Sequence, residues 1–531
     1  MGTLPQMMYG SGIKKFAQVK FGGLNHNLSA GDGEIWDMEN LCSDHYPLLS
    51  PRQSRWLIAT LAKPNGFYAG DGLFWADGEG FFADGERVGT VADSRKHFVS
   101  MGAFLIILPD KAYYNRLTGE FGALEARWNG AVTVRDGTIY GEAAMANTLC
   151  AAGANWESLF APGDAVQLSG FAVHPENNLS LVIREIDGDE LRFYENSFVA
   201  DDGGDAEVNV TVSRSMPDMD FLCANENRLW GCKGDQIFGS KLGDIKNWNV
   251  FDGLSTDSYA VTVGSAGDFT GAFSYLGYPC FFKENSIHKV YGSRPANFQV
   301  MSSASLGIEA GSDRSPGIAG ETLFYLSRVG VVAYSGGLPQ SVAAPFGTER
   351  YRDAVGGSDG TKYYVSMRDA GGNYQLFVYD TRFGLWHRED SLEVLDFGWD
   401  GELYFLSADG KLWMNGNART VPEEAQSEGE VPSACEFGDF VEGQPNEKGT
   451  AKLQLRLEID AGGSVDVDMR FDSRGPWRHV YRLRPRKKRS YYLPIIPRRS
   501  DHFRIRLKGT GGWRLYSLVR ENYVGSEMKG S

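Results

Sequence analysis

Gly234, Gly239, Ser240 and Lys241 in the stretch GDQIFGSK (234–241) lie one exchange away from the phosphate-cradling pattern G-x-x-x-x-G-K-[ST]. That chemistry needs a lysine before the hydroxyl residue and a helix beginning at once after it, so that backbone amides and the helix N-terminus wrap the phosphates. Here Ser240 precedes Lys241, and Leu242-Gly243-Asp244 opposes a helix. The stretch reads as a hairpin instead, with NRLWGC and QIFGSKL as its strands, Trp230 and Trp248 as packing anchors, and Lys241 on the surface. Other catalytic patterns fare no better. The eight histidines, among them His26, His45, His288 and His387, show no H-E-x-x-H or H-x-H grouping. GDGEIWDMEN (31–40) lacks the spaced ligands and closing glutamate of a calcium loop. No pair of carboxylates stands out for acid–base work, since so many acidic residues sit in Asp-Gly turns or on alternating faces. The sequence reading is therefore of a chain without catalytic residues, metal or cofactor, and not an enzyme.

The basic run RLRPRKKRSYY (482–492) and PRRS (497–500) is the strongest chemical signal. Arg484, Arg486, Lys487, Lys488, Arg489, Arg498 and Arg499 are the candidate contacts, for phosphate or for an acidic protein surface, with Tyr491 and Tyr492 placed to stack on bases. Its setting gives it weight. The whole chain carries a formal charge of -15, yet residues 452–531 hold 19 Lys and Arg against 8 Asp and Glu; this surplus of 11 leaves -26 for everything before it. Such asymmetry predicts two surfaces with different electrostatic neighbours, and a second copy of the chain is one candidate for the partner.

The elements that position these residues read as strands. Eleven Asp-Gly pairs, including Asp71-Gly72, Asp77-Gly78, Asp84-Gly85, Asp136-Gly137, Asp359-Gly360, Asp400-Gly401 and Asp409-Gly410, separate short aromatic runs. Asp-Gly tolerates the positive φ of tight hairpin turns. Hairpin pairs recur at the ~40–50-residue spacing of propeller blades, and no long segment has a capped 3.6-residue apolar period. The expectation is an all-β chain: a β-propeller of about seven blades, with an inserted small β-barrel and a C-terminal β-sandwich. The boundaries expected are first blades over 1–149, barrel over 150–215, remaining blades over 216–418, an acidic linker over 419–435 and the sandwich over 436–531. Six scattered cysteines, with no C-x-x-C, predict buried thiols. No signal peptide or apolar run of ~18 residues is present, so a soluble, cytosolically made protein without a membrane span is expected.

KFGGLNHNLSAGDGEIWDMENLCSDHYPLLSPR (20–52), NRLWGCKGDQIFGSKLGDIKNWNVFDG (227–253), FTGAFSYLGYPCFFKENSIHKVYGSRPANFQV (269–300) and YDTRFGLWHRED (379–390) resemble tailed-bacteriophage and prophage virion propellers. The likeness is to tail-hub, nozzle or packaged-DNA-stabilisation proteins, and it runs over nearly the whole chain. It implies a structural subunit of the tail or head-to-tail junction, made in the host bacterial cytoplasm and assembled as a homo-oligomeric ring of six or twelve copies around the DNA channel. Its neighbours would be adaptor, portal or tail proteins, with transient contact to packaged DNA. The alternative is a receptor- or carbohydrate-binding, or carbohydrate-active, propeller, with Trp36, Trp75, Trp230, Trp248 and Trp386 on a sugar-binding face.

Overall fold

A computed structural model describes residues 13–27, 31, 33–138, 144–194, 196–199, 207–416, 420–443, 447–496 and 498–524. The described residues form strands and turns, and the helices are single 3₁₀ turns such as Trp156–Ser158 and Ala344–Phe346. None is long and apolar enough to cross a membrane. Two compact units divide the chain: residues 1–73 with 314–531, and residues 74–313.

Seven antiparallel sheets follow in chain order, six of them running strand by strand as a meander, which is the β-propeller pattern. Six have four strands and span 64–90, 97–123, 221–262, 271–304, 317–341 and 352–388. Asp-Gly makes the turns for the reason anticipated: Asp84 and Gly85, for example, have φ of 47° and 91°. Asp136-Gly137 is the exception, because it ends the strand Ala126–Gly137 and pairs with Ala146 and Met145 beyond a bulge.

The seventh sheet is closed by a distant segment. Val394–Asp400, Glu402–Ser407 and Lys411–Asn415 are followed laterally by Trp56–Thr60 and then by Gln426–Ser427. At this seam the Leu61 amide donates to the Gly410 carbonyl (2.7 Å). Gly410 sits at φ +87°, and a β-carbon on it would lie 2.2 Å from the Leu61 oxygen, so only glycine fits.

Between the second and third sheets lies a closed six-stranded barrel. It begins at Ala126 and ends at Arg214, so the expected start at 150 is corrected: the long strand Ala126–Gly137 is shared by both halves, pairing with Val208–Arg214 and with Met145–Cys150. Alternating side chains such as Val132, Leu149, Val166, Ile183, Leu191 and Val212 fill it, around Trp156.

The C-terminal sandwich has one sheet in the order Ile13–Gln18, Trp513–Val524, Lys448–Ile459, Arg486–Leu493, and another in the order Ile35–Glu39, Ser433–Phe437, Phe503–Thr510, Ser464–Phe471, Arg474–Leu483. Inward residues Leu453, Leu455, Leu457, Val465, Val467 and Leu507 alternate with polar ones, as two packed sheets require. Two expectations are corrected here. Residues 13–18 and 35–39, assigned to the first blades, belong to the sandwich: Phe16 faces Arg520 and Met38 faces Cys435. The segment expected to be a linker contributes strand residues to both the last propeller sheet and the sandwich, through Gln426–Ser427 and Ser433–Phe437. Inside the sandwich Arg520 is buried against Glu442 (2.6 Å) and lies 4.0 Å over the Phe440 ring, and it also reaches Gln18 of the N-terminal strand.

Candidate functional site

The basic run is an edge strand. Arg486–Leu493 pairs on one side with Lys448–Ile459, and nothing among the described residues pairs with its other side. Arg484, Arg486, Lys487, Lys488 and Arg489 are all exposed. Lys488 rests its ammonium 4.0 Å over the Tyr516 ring, while Arg484, Arg486, Lys487 and Arg489 have no ion pair among the described residues. Several arginines elsewhere in the sandwich are neutralised. Arg504 holds Glu436 (2.8 Å) and Asp439 (2.6 Å), Arg506 holds Asp468 (2.8 Å), and Arg482 holds Asp466 (3.3 Å). Burial pushes the Asp439 carboxyl up, but its hydrogen bond and charge contact with Arg504 outweigh this and leave it below the usual range. Four exposed cations without an ion pair thus stand close together in sequence at this edge, while Arg456, Arg478, Arg499 and Lys508 are exposed and unpaired among the described residues elsewhere in the sandwich.

The seven predicted cations do not form one cluster. Arg499 faces Gly449, whereas Arg486 faces Ile459 on the same strand, ten positions away. At about 3.3 Å per residue the two groups stand roughly 30 Å apart. Arg498 lies 5.6 Å over the Phe471 ring. The tyrosines also separate: Tyr491 packs on the sandwich core, and Tyr492 is 70% exposed.

A second, acidic edge carries no sequence motif. Gln426–Ser427 is the last strand of the seventh sheet and pairs only with Trp56–Leu57. The stretch around it, PEEAQSEGE (422–430), has four glutamates and no Lys or Arg. Glu423, Glu424 and Glu430 are exposed and have no ion pair among the described residues, while Glu428 turns inward to Arg52 (2.8 Å). Its sequence signal is composition alone, which an acidic linker shares.

Unit 1–73 with 314–531 also holds a polar cavity of about 210 Å³, lined by Asp44, Arg52, Gln53, Asp359, Lys362, Tyr364, Glu389 and Asn415 among others. Its cations are already neutralised, Lys362 by Asp44 and Arg52 by Glu428. Asp359 accepts the Tyr364 hydroxyl (3.2 Å) and the Lys362 amide (2.6 Å). Burial, with Glu389 and Asp359 nearby, pushes the Tyr364 hydroxyl well above its ordinary value, so it stays a donor. Burial would raise the Asp44 carboxyl, but Lys362 holds it below the usual range. The cavity thus offers hydrogen-bond donors and acceptors, with its cations already taken by carboxylates. These residues come from separate loops and strand ends, each unremarkable alone.

GDQIFGSK is a hairpin, as its chemistry indicated. Arg228–Lys233 and Gln236–Gly239 flank the turn, Ser240 is buried and accepts the Leu229 amide (3.0 Å), and Lys241 donates to the Gly163 carbonyl (3.3 Å). The proposed tryptophan face is corrected: Trp230, Trp248 and Trp386 are only 2%, 3% and 1% exposed and belong to packing clusters. Trp36 sits on a sandwich strand, under Arg504. In the calcium-like stretch Glu34 is taken by the Asn25 amide (2.8 Å) and the Gly31 amide (2.6 Å), and Asp32 lies outside the described residues. Five of the six free cysteines are buried, Cys150 partly so.

No family model and no curated protein matches the chain. Solved structures do. An exo-β-1,3-galactanase from Phanerochaete chrysosporium shares 9% identity over 55% of this chain and 92% of that one, with a TM-score of 0.22. Raptor from Chaetomium thermophilum shares 12% over 68% of this chain and 30% of that one, with a TM-score of 0.32. A bifunctional GH43-CE protein of Bacteroides eggerthii shares 9% over 58% and 62%, with a TM-score of 0.19. None of these three is a virion protein. Likeness at this level transfers no activity to this chain. Enzymes stand among these matches, against the expectation that the chain is not an enzyme.

Proposed function

We propose that the chain is an assembly subunit of a tailed-phage particle, placed in the tail or the head-to-tail junction and repeated as a ring of six or twelve copies. The observation that carries this is the segregation of uncompensated charge: an acidic chain leaves a row of unpaired cations on one bare sheet edge. Such an edge suits docking onto an acidic neighbour, whether another copy or an adaptor, portal or tail protein, because complementary fields steer and orient association. The resemblance of the propeller segments to virion proteins supports the same reading. Cryo-electron microscopy or mass spectrometry of particles from the producing strain tests it, with the chain expected as a ring on the particle axis. Its absence from purified particles would overturn it.

A second reading, carbohydrate recognition or processing, is favoured by a different observation, the polar cavity of unit 1–73 with 314–531. Its amides, carboxylates and tyrosine hydroxyl match sugar hydroxyls in kind. Glycan-array binding or polysaccharide cleavage by the purified protein is expected on this reading. Gln53→Ala with Asn415→Ala should weaken it at least tenfold, since no hydrogen bond within the described residues occupies either side chain. No binding and no cleavage across the array would sink it.

A further inference from the structure

Two strand edges of the same unit are bare and of opposite charge. On one, Arg486, Lys487 and Arg489 stand exposed and unpaired beside a strand with no outer neighbour. On the other, Glu423, Glu424 and Glu430 flank Gln426–Ser427, which likewise lacks an outer neighbour among the described residues. Within one chain no strand pairing or ion pair joins them among the described residues: the basic strand pairs with Lys448–Ile459 and the acidic one with Trp56–Leu57. We infer that the basic edge of one copy docks on the acidic edge of the next.

The partner is thus a second copy of this chain. Charge complementarity supports that choice, since each edge supplies what the other lacks. So does the surface beside the basic strand, where Tyr492 and Ile496 are 70% and 88% exposed, the aromatic, aliphatic and arginine mixture of protein interfaces. Because two different patches meet, the contact is heterologous, and repetition closes a ring or runs on as a filament. This deepens the assembly reading and rests on it for its biological setting, though the contact itself does not require a virion.

The test is a charge swap on the full chain, read by analytical ultracentrifugation at low and high salt. The wild type is expected to sediment as an oligomer at low ionic strength and to dissociate as salt rises. Arg486→Glu with Lys487→Glu and Arg489→Glu should give monomer, and so should Glu423→Lys with Glu424→Lys and Glu430→Lys. Combining all six should restore the oligomer. All six side chains are exposed, so thermal unfolding should move little, which separates lost docking from misfolding. A wild type that stays monomeric throughout, or an acidic-edge reversal that leaves the oligomer intact, overturns the inference; the cations would then only guard a bare edge against strand pairing. Retention of a short DNA duplex by the basic edge, with the acidic edge inert in assembly, overturns it too. The two proposals fail separately. Restored assembly in the six-fold variant with no trace in particles removes the virion reading and leaves the contact; a ring in particles that the acidic-edge variant still forms does the reverse.

Discussion

Arg55→Met is expected to destabilise the unit formed by residues 1–73 and 314–531 by about 3–5 kcal/mol, the usual cost of removing one partner from a buried ion pair. Arg55 immediately precedes Trp56–Thr60, and its side chain is 2% exposed. Its guanidinium binds Glu389 and Asp390, each at 2.5 Å, and lies 5.1 Å from the Phe405 ring centre. Arg52 supports the same cluster through Glu428 (2.8 Å) and the Asn40 side chain (2.8 Å). Removing Arg55 leaves two carboxylates facing a low dielectric, with Arg52 at 3.9 and 3.6 Å as the remaining cation. Chemical denaturation reads the effect as a lower midpoint at unchanged slope. Pairing the change with Glu389→Leu should recover part of the loss, because the orphaned charge goes with it. A single-variant loss below about 1 kcal/mol would show that the network is dispensable.

Stability should also fall as pH drops from about 6.5 to about 4, before most carboxylates titrate. His387 is buried, and its Nδ1 has no hydrogen-bond partner among the described residues. Burial, with Lys362 adding to it, pushes its pKa down to about 4, although Asp380 and Asp44 pull the other way. The sign follows directly. Above 6.5 the imidazole is neutral in both states; between 6.5 and 4 the unfolded chain takes up a proton that the folded one refuses, so unfolding gains. A shift of that size amounts to about 3 kcal/mol, lost progressively as pH falls through the window. His288 acts in the same direction, held near 4 by burial and then by Lys283, with Ser265, Ser286 and Ser302 around its ring. Glu428 and Asp439 are held below their usual values, so their contribution is lost at lower pH. In His387→Gln the slope between pH 6.5 and 4 should flatten, and an unchanged slope would refute the assignment.

Much of the architecture is legible because its rules are local. Asp-Gly fixes hairpin turns, period-two alternation fixes faces, and both act within ten residues. What lies beyond the sequence reading is long-range pairing. Ile13–Gln18, Ile35–Glu39 and Trp56–Thr60 look like the first strands of a propeller, and only their partners near residues 520, 435 and 413 reveal otherwise. The same limit divides the candidate site. A run of cations is visible as composition, but its place at a sheet edge, and the separation of Arg499 from Arg486, depend on register along Lys448–Ile459. Tryptophan is ambiguous in a related way, because a platform and a core anchor have the same residue type. Trp386, which donates to the Val342 carbonyl (2.8 Å) and packs on Phe346, is an anchor. Asp136-Gly137 misleads because the pair lies in a long paired strand, opposite Ala146 and Met145, and the bulge there belongs to Asn147 of the partner strand.

The seam that joins Trp56–Thr60 to the last propeller sheet, and Ile13–Gln18 to Trp513–Val524, has a consequence for how the chain is made. Residues 74–313 form one continuous compact unit made in between, while Ile13–Gln18 and Trp56–Thr60 wait for partners made after it. At about 5–20 residues per second, the first strand waits roughly half a minute to two minutes for its partner. During that interval its bare edge must be kept from pairing elsewhere, and a chain stopped short of residue 513 never covers it. The charged first strand, IKKFAQ, with two lysines in six residues, suits a segment that spends its early life waiting in solution.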